Sequence, residues 1–168
     1  MKRTITVIIL SLLIQSVFAE NYYISAAGDD VNSGTSVASP WETLEKLDES
    51  TFQAGDVIHF NRGDKWLGRF EVTESGEVNN PIVFTAYGKG AFPKLSNPNW
   101  DYTWDGAVIR VSGSYITIEK LHFIDGAAHP YEEAKDKHEN VYDMGAVNLN
   151  RESKYCTVQY CEFEDYPI

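Results

Sequence analysis

Two stretches in the last third of the chain are copies of one another, and this repeat restricts the fold more than any other feature. The first copy contains Ala107-Val108-Ile109-Arg110, Tyr115-Ile116-Thr117-Ile118 and Leu121-His122-Phe123. The second contains Val147-Asn148-Leu149-Asn150, Tyr155-Cys156-Thr157-Val158 and Cys161-Glu162-Phe163. A shift of 40 residues lays Ala107 on Val147, Ile109 on Leu149, Ile116 on Cys156, Ile118 on Val158, Leu121 on Cys161 and Phe123 on Phe163. Tyr115 and Thr117 fall on Tyr155 and Thr157. Apolar and polar positions alternate within each stretch, as in strands buried on one face. Each copy reads as three short strands with a corner, at Ser112-Gly113-Ser114 in the first and Glu152-Ser153-Lys154 in the second. A strand–corner–strand unit cannot bury its apolar face alone, but stacked on its copy it can, which is the logic of a β-solenoid. A β-sandwich would need hairpin turns throughout, and the repeat argues against it. Residues 126–144, rich in charge, His and Pro, read as a loop thrown sideways from the coil.

Before the repeat the chain alternates turns and strands. Residues 27–35 are dense in Gly, Asp, Asn and Ser. Their oxygens suit Asx-turns that tie the chain down, or a Ca²⁺ ion, although the regular calcium-loop spacing is missing. A short amphipathic helix is predicted over 39–47, with Ser39 as N-cap, Pro40 at the first helical position and Glu42 closing a capping box. Trp41, Leu44 and Leu47 form its apolar stripe. An open solenoid end needs a cover, and the helix is assigned that role. Val57-Ile58-His59-Phe60 and Ile82-Val83-Phe84-Thr85-Ala86-Tyr87 are strands. Trp66, Gly68, Phe70 and Val72 alternate with Leu67, Arg69, Glu71 and Thr73 as one half-buried strand. His59 points outward and reads as solvated. Cys156 and Cys161 occupy core positions of the second copy and read as small buried hydrophobes rather than a bridge.

The N-terminus bounds the compartment. Lys2-Arg3, the apolar run from Ile5 to Ile14, and Val17-Phe18-Ala19 before Glu20 have the form of a secretory signal over residues 1–19. A membrane anchor is the alternative, but Gln15 and Ser16 interrupt the run before the roughly 20 apolar residues a span needs. The mature domain is then 20–168, secreted to the periplasm, cell surface or exterior. Residues 1–19 take away two positive charges, leaving 12 basic against 25 acidic side chains, a net charge of −13. Such a surface disfavours nucleic acid, and also polyanionic glycans unless a local basic patch or a bridging cation intervenes.

Several motifs in order carry a family resemblance: Tyr23-Ile24-Ser25, Gly28-Asp29-Asp30, Asn32-Ser33-Gly34-Thr35, Ala54-Gly55-Asp56, Arg62-Gly63-Asp64 before Trp66, and Ser75-Gly76-Glu77 leading into Asn80-Pro81-Ile82-Val83-Phe84. Together with the signal and helix they resemble the N-terminal part of secreted right-handed parallel β-helix proteins of the pectate-lyase-like superfamily, in particular the chondroitinase B-like and alginate lyase-like lyases. The resemblance implies a polysaccharide partner, most directly a uronate-containing glycan cleaved by a polysaccharide lyase, with Lys and Arg as the acid–base pair and Ca²⁺ as a possible cofactor. A glycoside hydrolase on the same fold would show paired Asp or Glu on neighbouring coils, at about 5–9.5 Å. A non-catalytic glycan-binding protein is the third reading. The family's catalytic residues fall on later coils, so none is carried over. Trp100 and Trp104 sit on one face of an extended segment, either as a sugar-stacking platform or as ordinary structural aromatics. Arg110 faces outward beside the side loop, as a substrate contact or as the partner of a loop carboxylate. His129, His138, Glu132 and Asp136 of the loop meet no known metal-ligand spacing. As it stands the chain reads as an incomplete, inactive solenoid that leaves Val147, Leu149, Val158 and Phe163 on an open end.

Overall fold

A computed structural model describes residues 19–97, 107–124 and 145–165. Nearly all regular structure in it is β, arranged in three parallel sheets. The five-stranded sheet has the order β1-β2-β5-β8-β11, with β1 Asn21–Ile24, β2 Val57–Asn61, β5 Ile82–Tyr87, β8 Ile116–Glu119 and β11 Thr157–Gln159. The four-stranded sheet contains β3 Lys65–Leu67, β6 Lys94–Ser96, β9 His122–Phe123 and β12 Glu162–Phe163. The three-stranded sheet contains β4 Phe70–Val72, β7 Ile109–Val111 and β10 Val147–Leu149. The chain visits the sheets cyclically: β2, β3, β4; then β5, β6, β7; then β8, β9, β10; then β11, β12. Each complete pass adds one strand to every sheet, so each strand pairs with its counterpart one rung away.

The register explains the core. Ile58 pairs with Phe84 and Phe84 with Ile118. Leu95 pairs with Phe123 and Phe123 with Phe163, while Phe70 pairs with Ile109. Like residues stack on like, and Phe60, Phe70, Phe84 and Phe123 are fully buried. Phe84 stands edge-on to Phe52 at 5.9 Å and tilted against Phe70 at 5.5 Å. Burying each such side chain contributes roughly 1.5–3 kcal/mol.

The repeat is realised with one change. Val158 stacks on Ile118 and Phe163 on Phe123, as the shift of 40 requires. Ile109, however, pairs with Val147, and Leu149 with Val111. The corner 150–156 is longer than its counterpart 112–115, and β10 slips by two residues to accommodate it. A two-residue slip keeps every side chain on its original face, so the core pattern survives. On the last described rung Leu149, Val158 and Phe163 are exposed by 46%, 39% and 52%, and Val147 is half-buried.

The helix predicted over 39–47 does not form. Trp41 N–H donates to the Tyr23 carbonyl and the Trp41 carbonyl accepts from Ser25 N–H, so this segment runs beside β1 as an extended bridge. What remains is one short helix, α1 (Leu44–Asp48), capped by the Thr43 hydroxyl rather than by Ser39. Leu44 and Leu47 still enter the core. The single strand expected from Trp66 to Val72 is broken as well. Gly68 adopts φ 134°, which turns the chain out of β3 and into β4 in a different sheet. Among the described residues no helix is long and apolar enough to cross a membrane.

Candidate functional site

The corners of the rungs are unequal. The five- and four-stranded sheets are joined by 62–64, 88–93, 120–121 and 160–161. The passage from the four- to the three-stranded sheet is different. Gly68 and Arg69 alone make it on the first rung, but it takes 97–108 on the second and 124–146 on the third. Long insertions on a rigid scaffold are where binding and chemistry concentrate. Trp100, Trp104 and the titratable groups of 125–143 belong to these insertions and lie outside the described residues. At the base of the first insertion Asn97 is buried and its Nδ2 donates to the Ala107 carbonyl (3.2 Å), pinning the two ends together. Beside it the buried Ser96 hydroxyl has no hydrogen-bond partner among the described residues.

Two outward rows flank this corner. On the three-stranded sheet Glu71, Arg110 and Asn148 are in register. Arg110 Nε lies 3.9 Å from Glu71 Oε1, and the Ser112 hydroxyl donates to the same oxygen at 2.6 Å. Asn150 Nδ2 in turn donates to Ser112. The Glu71 amide is held by the Asp48 carboxylate at the end of α1. Arg110 therefore points outward as expected, and a strand carboxylate one rung back is among its partners.

On the four-stranded sheet Lys65, Lys94, His122 and Glu162 are in register. His122 is bracketed: Nδ1 lies 3.4 Å from Glu162 Oε2 and Nε2 lies 3.2 Å from Glu164 Oε2. Glu162 lies in β12 and Glu164 just beyond its end, where the Glu164 amide still bonds the Phe123 carbonyl, so both carboxylates reach the imidazole. An imidazole between two carboxylates can pass or store a proton. The expectation for hydrolysis was a pair on neighbouring coils, whereas this pair shares one coil.

The five-stranded sheet carries a third row. His59 points outward as its alternation suggested, but neighbouring rings leave it half-buried. It stacks on Tyr23 at 4.9 Å, meets Tyr87 edge-on, and bonds Asn21 Oδ1 through Nε2 at 2.9 Å. Burial holds its pKa below the ordinary histidine value. Farther along, Glu119 accepts from Lys120, from Gln159 Nε2 (2.9 Å) and from the Thr85 hydroxyl (3.0 Å). These donors, Lys120 first, outweigh partial burial and keep its carboxyl below the usual range. The Asp-rich stretch forms ties: Asp29 accepts from Val31 N–H, and Asp30 takes the Glu42 and Thr43 amides and the Thr43 hydroxyl. Cys156 and Cys161 are free thiols, half-buried, and burial raises the Cys161 pKa.

Sequence reasoning singled out Arg110 but not His122, Glu162 or Glu164. The shift of 40 laid His122 directly on Glu162, which was a usable signal. Nothing local marked Glu164.

The fold defines an all-β protein of stacked parallel strands with its long insertions at one corner. No family model matches the chain. It is 35% identical over 136 residues to a lacto-N-biosidase of Bifidobacterium longum subsp. longum, a match that spans 66% of this chain and 8% of that protein. The crystal structure of the GH136 lacto-N-biosidase from Eubacterium ramulus superposes with a TM-score of 0.56 at 25% identity, over 63% of this chain and 20% of that one. A rhamnogalacturonan lyase superposes with a TM-score of 0.51 at 24% identity, over 62% and 28%. The chain thus spans a small fraction of each relative.

Proposed function

We propose that this chain belongs to an exported, carbohydrate-active protein built on a right-handed parallel β-helix, and that the protein is a glycoside hydrolase. The observation that carries this reading is the 35% identity to a lacto-N-biosidase, supported by the superposition on a GH136 enzyme. The rhamnogalacturonan lyase, at 24% identity, shares the fold alone. Hydrolysis therefore takes precedence over the elimination that the family resemblance implied.

The glycan lies across the corner between the four- and three-stranded sheets. Arg110 contacts it from the strand side, and Trp100 and Trp104 stack on its sugars from the insertion. Among the described residues, Glu162 and Glu164 share a partner, His122. The test uses the complete gene product with a chromogenic lacto-N-bioside and, separately, with uronate polymers. Release of the chromophore supports the reading. An unsaturated uronate product would overturn it in favour of a lyase, and glycan binding with neither product would favour a binding protein.

A further inference from the structure

Asp56 is 2% exposed, yet its carboxylate is held by two backbone donors and, among the described residues, by no cation. Gln53 N–H donates to Oδ2 at 2.8 Å, and Glu20 N–H donates to Oδ1 at 2.8 Å. Glu20 is the residue that follows the signal-like segment. Its carbonyl accepts from Val57 N–H at 2.9 Å, so residue 20 is fixed from both sides. Register with β2 then begins at once, Asn21 on Val57. The bond between Ala19 and Glu20 joins two exposed residues.

We propose that Asp56 is the receptor for a new N-terminus: cleavage after Ala19 converts the Glu20 amide into an α-ammonium that forms an ion pair with the buried Asp56 carboxylate. The step balances with water alone. The C–N bond between Ala19 and Glu20 breaks, hydroxyl goes to the Ala19 carbonyl carbon and hydrogen to the Glu20 nitrogen, and the amine takes a further proton from solvent below its pKa of about 7.7–8.0. Before cleavage the contact is a neutral donor on a buried anion. Afterwards it is charge-assisted, which is roughly twice as strong. A buried carboxylate is costly when its compensation is incomplete, so the gain falls where it is needed. Processing then tightens the junction between the N-terminal segment and β2. Among the described residues, Tyr22 lies within electrostatic reach of both Asp56 and the Glu20 side chain.

This inference rests on the exported reading, and the test separates the two. The full chain is exported, purified and sequenced from its N-terminus. A second chain carries two alanines inserted after Ala19 and is checked by mass to begin upstream of Glu20. The Asp56→Asn forms of both complete a cycle. The expected results are an N-terminus at Glu20, an unfolding midpoint about 2–4 °C above that of the extended chain, an α-amine that titrates above its ordinary range, and loss of the midpoint difference between the two Asp56→Asn forms. An uncleaved N-terminus at Met1 overturns the exported reading and the inference with it, whereas cleavage at a different bond overturns the inference alone. An N-terminus at Glu20 with equal midpoints, or an α-amine titrating at its ordinary value, overturns the inference alone. If Asp56→Asn does not fold, the α-amine titration of the unmodified chain decides.

Discussion

The ring of Tyr155 lies on that of Tyr115 one rung away, with centroids 4.7 Å apart and planes inclined by 16°. Both residues hold left-handed backbone, at φ 57° and 56°. The same pairing recurs at the next corner, where Lys120 (φ 58°) lies one repeat before Tyr160 (φ 53°). These two corners therefore use left-handed residues that are not glycine, unlike the earlier corners at Gly63 and Gly88. An L-residue costs about 1–2 kcal/mol in that conformation, and a stacked aromatic pair returns about 0.5–1.5 kcal/mol.

That balance predicts an inverted order of substitutions at the corner. Tyr155→Ala loses the stack and keeps the backbone cost, whereas Tyr155→Gly loses the stack and relieves the backbone. The glycine variant should be more stable than the alanine variant by about 1 kcal/mol, read from urea midpoints at unchanged slope. An alanine variant as stable as the glycine one would contradict the left-handed corner.

Two glycines separate crowding from backbone strain. A Cβ on Gly113 would stand 1.7 Å from the Glu74 carbonyl oxygen, so neighbouring rungs could not close at that corner. Gly63 has φ 88° and nothing within 4 Å of such a Cβ. Gly113→Ala should cost more than about 3 kcal/mol, on the scale of core overpacking, or leave the chain unfolded. Gly63→Ala should cost about 1–2 kcal/mol. Comparable losses in the two would show that close approach is not what requires Gly113.

Acid should weaken the fold through three groups acting in the same sense. Glu119 is kept below the usual carboxylate range by Lys120, Gln159 and Thr85. At Asp30, burial pushes the pKa up but is outweighed by the Thr43 hydroxyl, the Glu42 and Thr43 amides and Lys46, so its pKa too is lowered. A carboxyl depressed in the folded state stabilises above its unfolded pKa, and that contribution disappears as pH falls through the folded value. His59, depressed by burial, resists the charging that the unfolded chain undergoes below its ordinary pKa. Stability should thus begin to fall just below neutrality and fall further in the acid carboxylate range. Glu119→Gln should flatten the second phase, and His59→Gln the first, in midpoint-against-pH curves. A curve for Glu119→Gln parallel to the parent would remove Glu119 from the account.

Arg110 should matter more to binding than to folding. Its pairing with Glu71 at 3.9 Å involves two side chains each about two-fifths exposed, 41% and 39%. Such pairs contribute roughly 0–1 kcal/mol. Arg110→Ala in the complete gene product should shift the unfolding midpoint little while raising KM for glycan several-fold with kcat nearly kept. An unchanged KM would confine Arg110 to a structural role.

Hydrophobic alternation and the repeat placed the core and most strands, but not the corner at Gly68 that splits the run from Trp66 to Val72. They put Val158 over Ile118 and Phe163 over Phe123 because a period of two residues is a local property that survives into the stack. They also put Arg110 outside. The register of Val147 on Ile109 was not legible, since a slip of two residues leaves every face unchanged and so leaves no trace in the pattern. The start of the helix was decided by groups distant in sequence: Tyr23 and Ser25 hold Trp41 extended, and Asp30 receives the Glu42 and Thr43 amides. Ser39 had good local chemistry for a cap, but its hydroxyl bonds Ser36 instead. The bracket of His122 by Glu162 and Glu164, and the contact of Glu20 with Asp56, likewise join residues from separate passes of the chain. Composition and spacing determined which residues face in or out, because that depends on neighbours along the chain. Which polar groups meet was decided by the stacking of rungs, because hydrogen bonds and ion pairs depend on distances that only the tertiary structure sets.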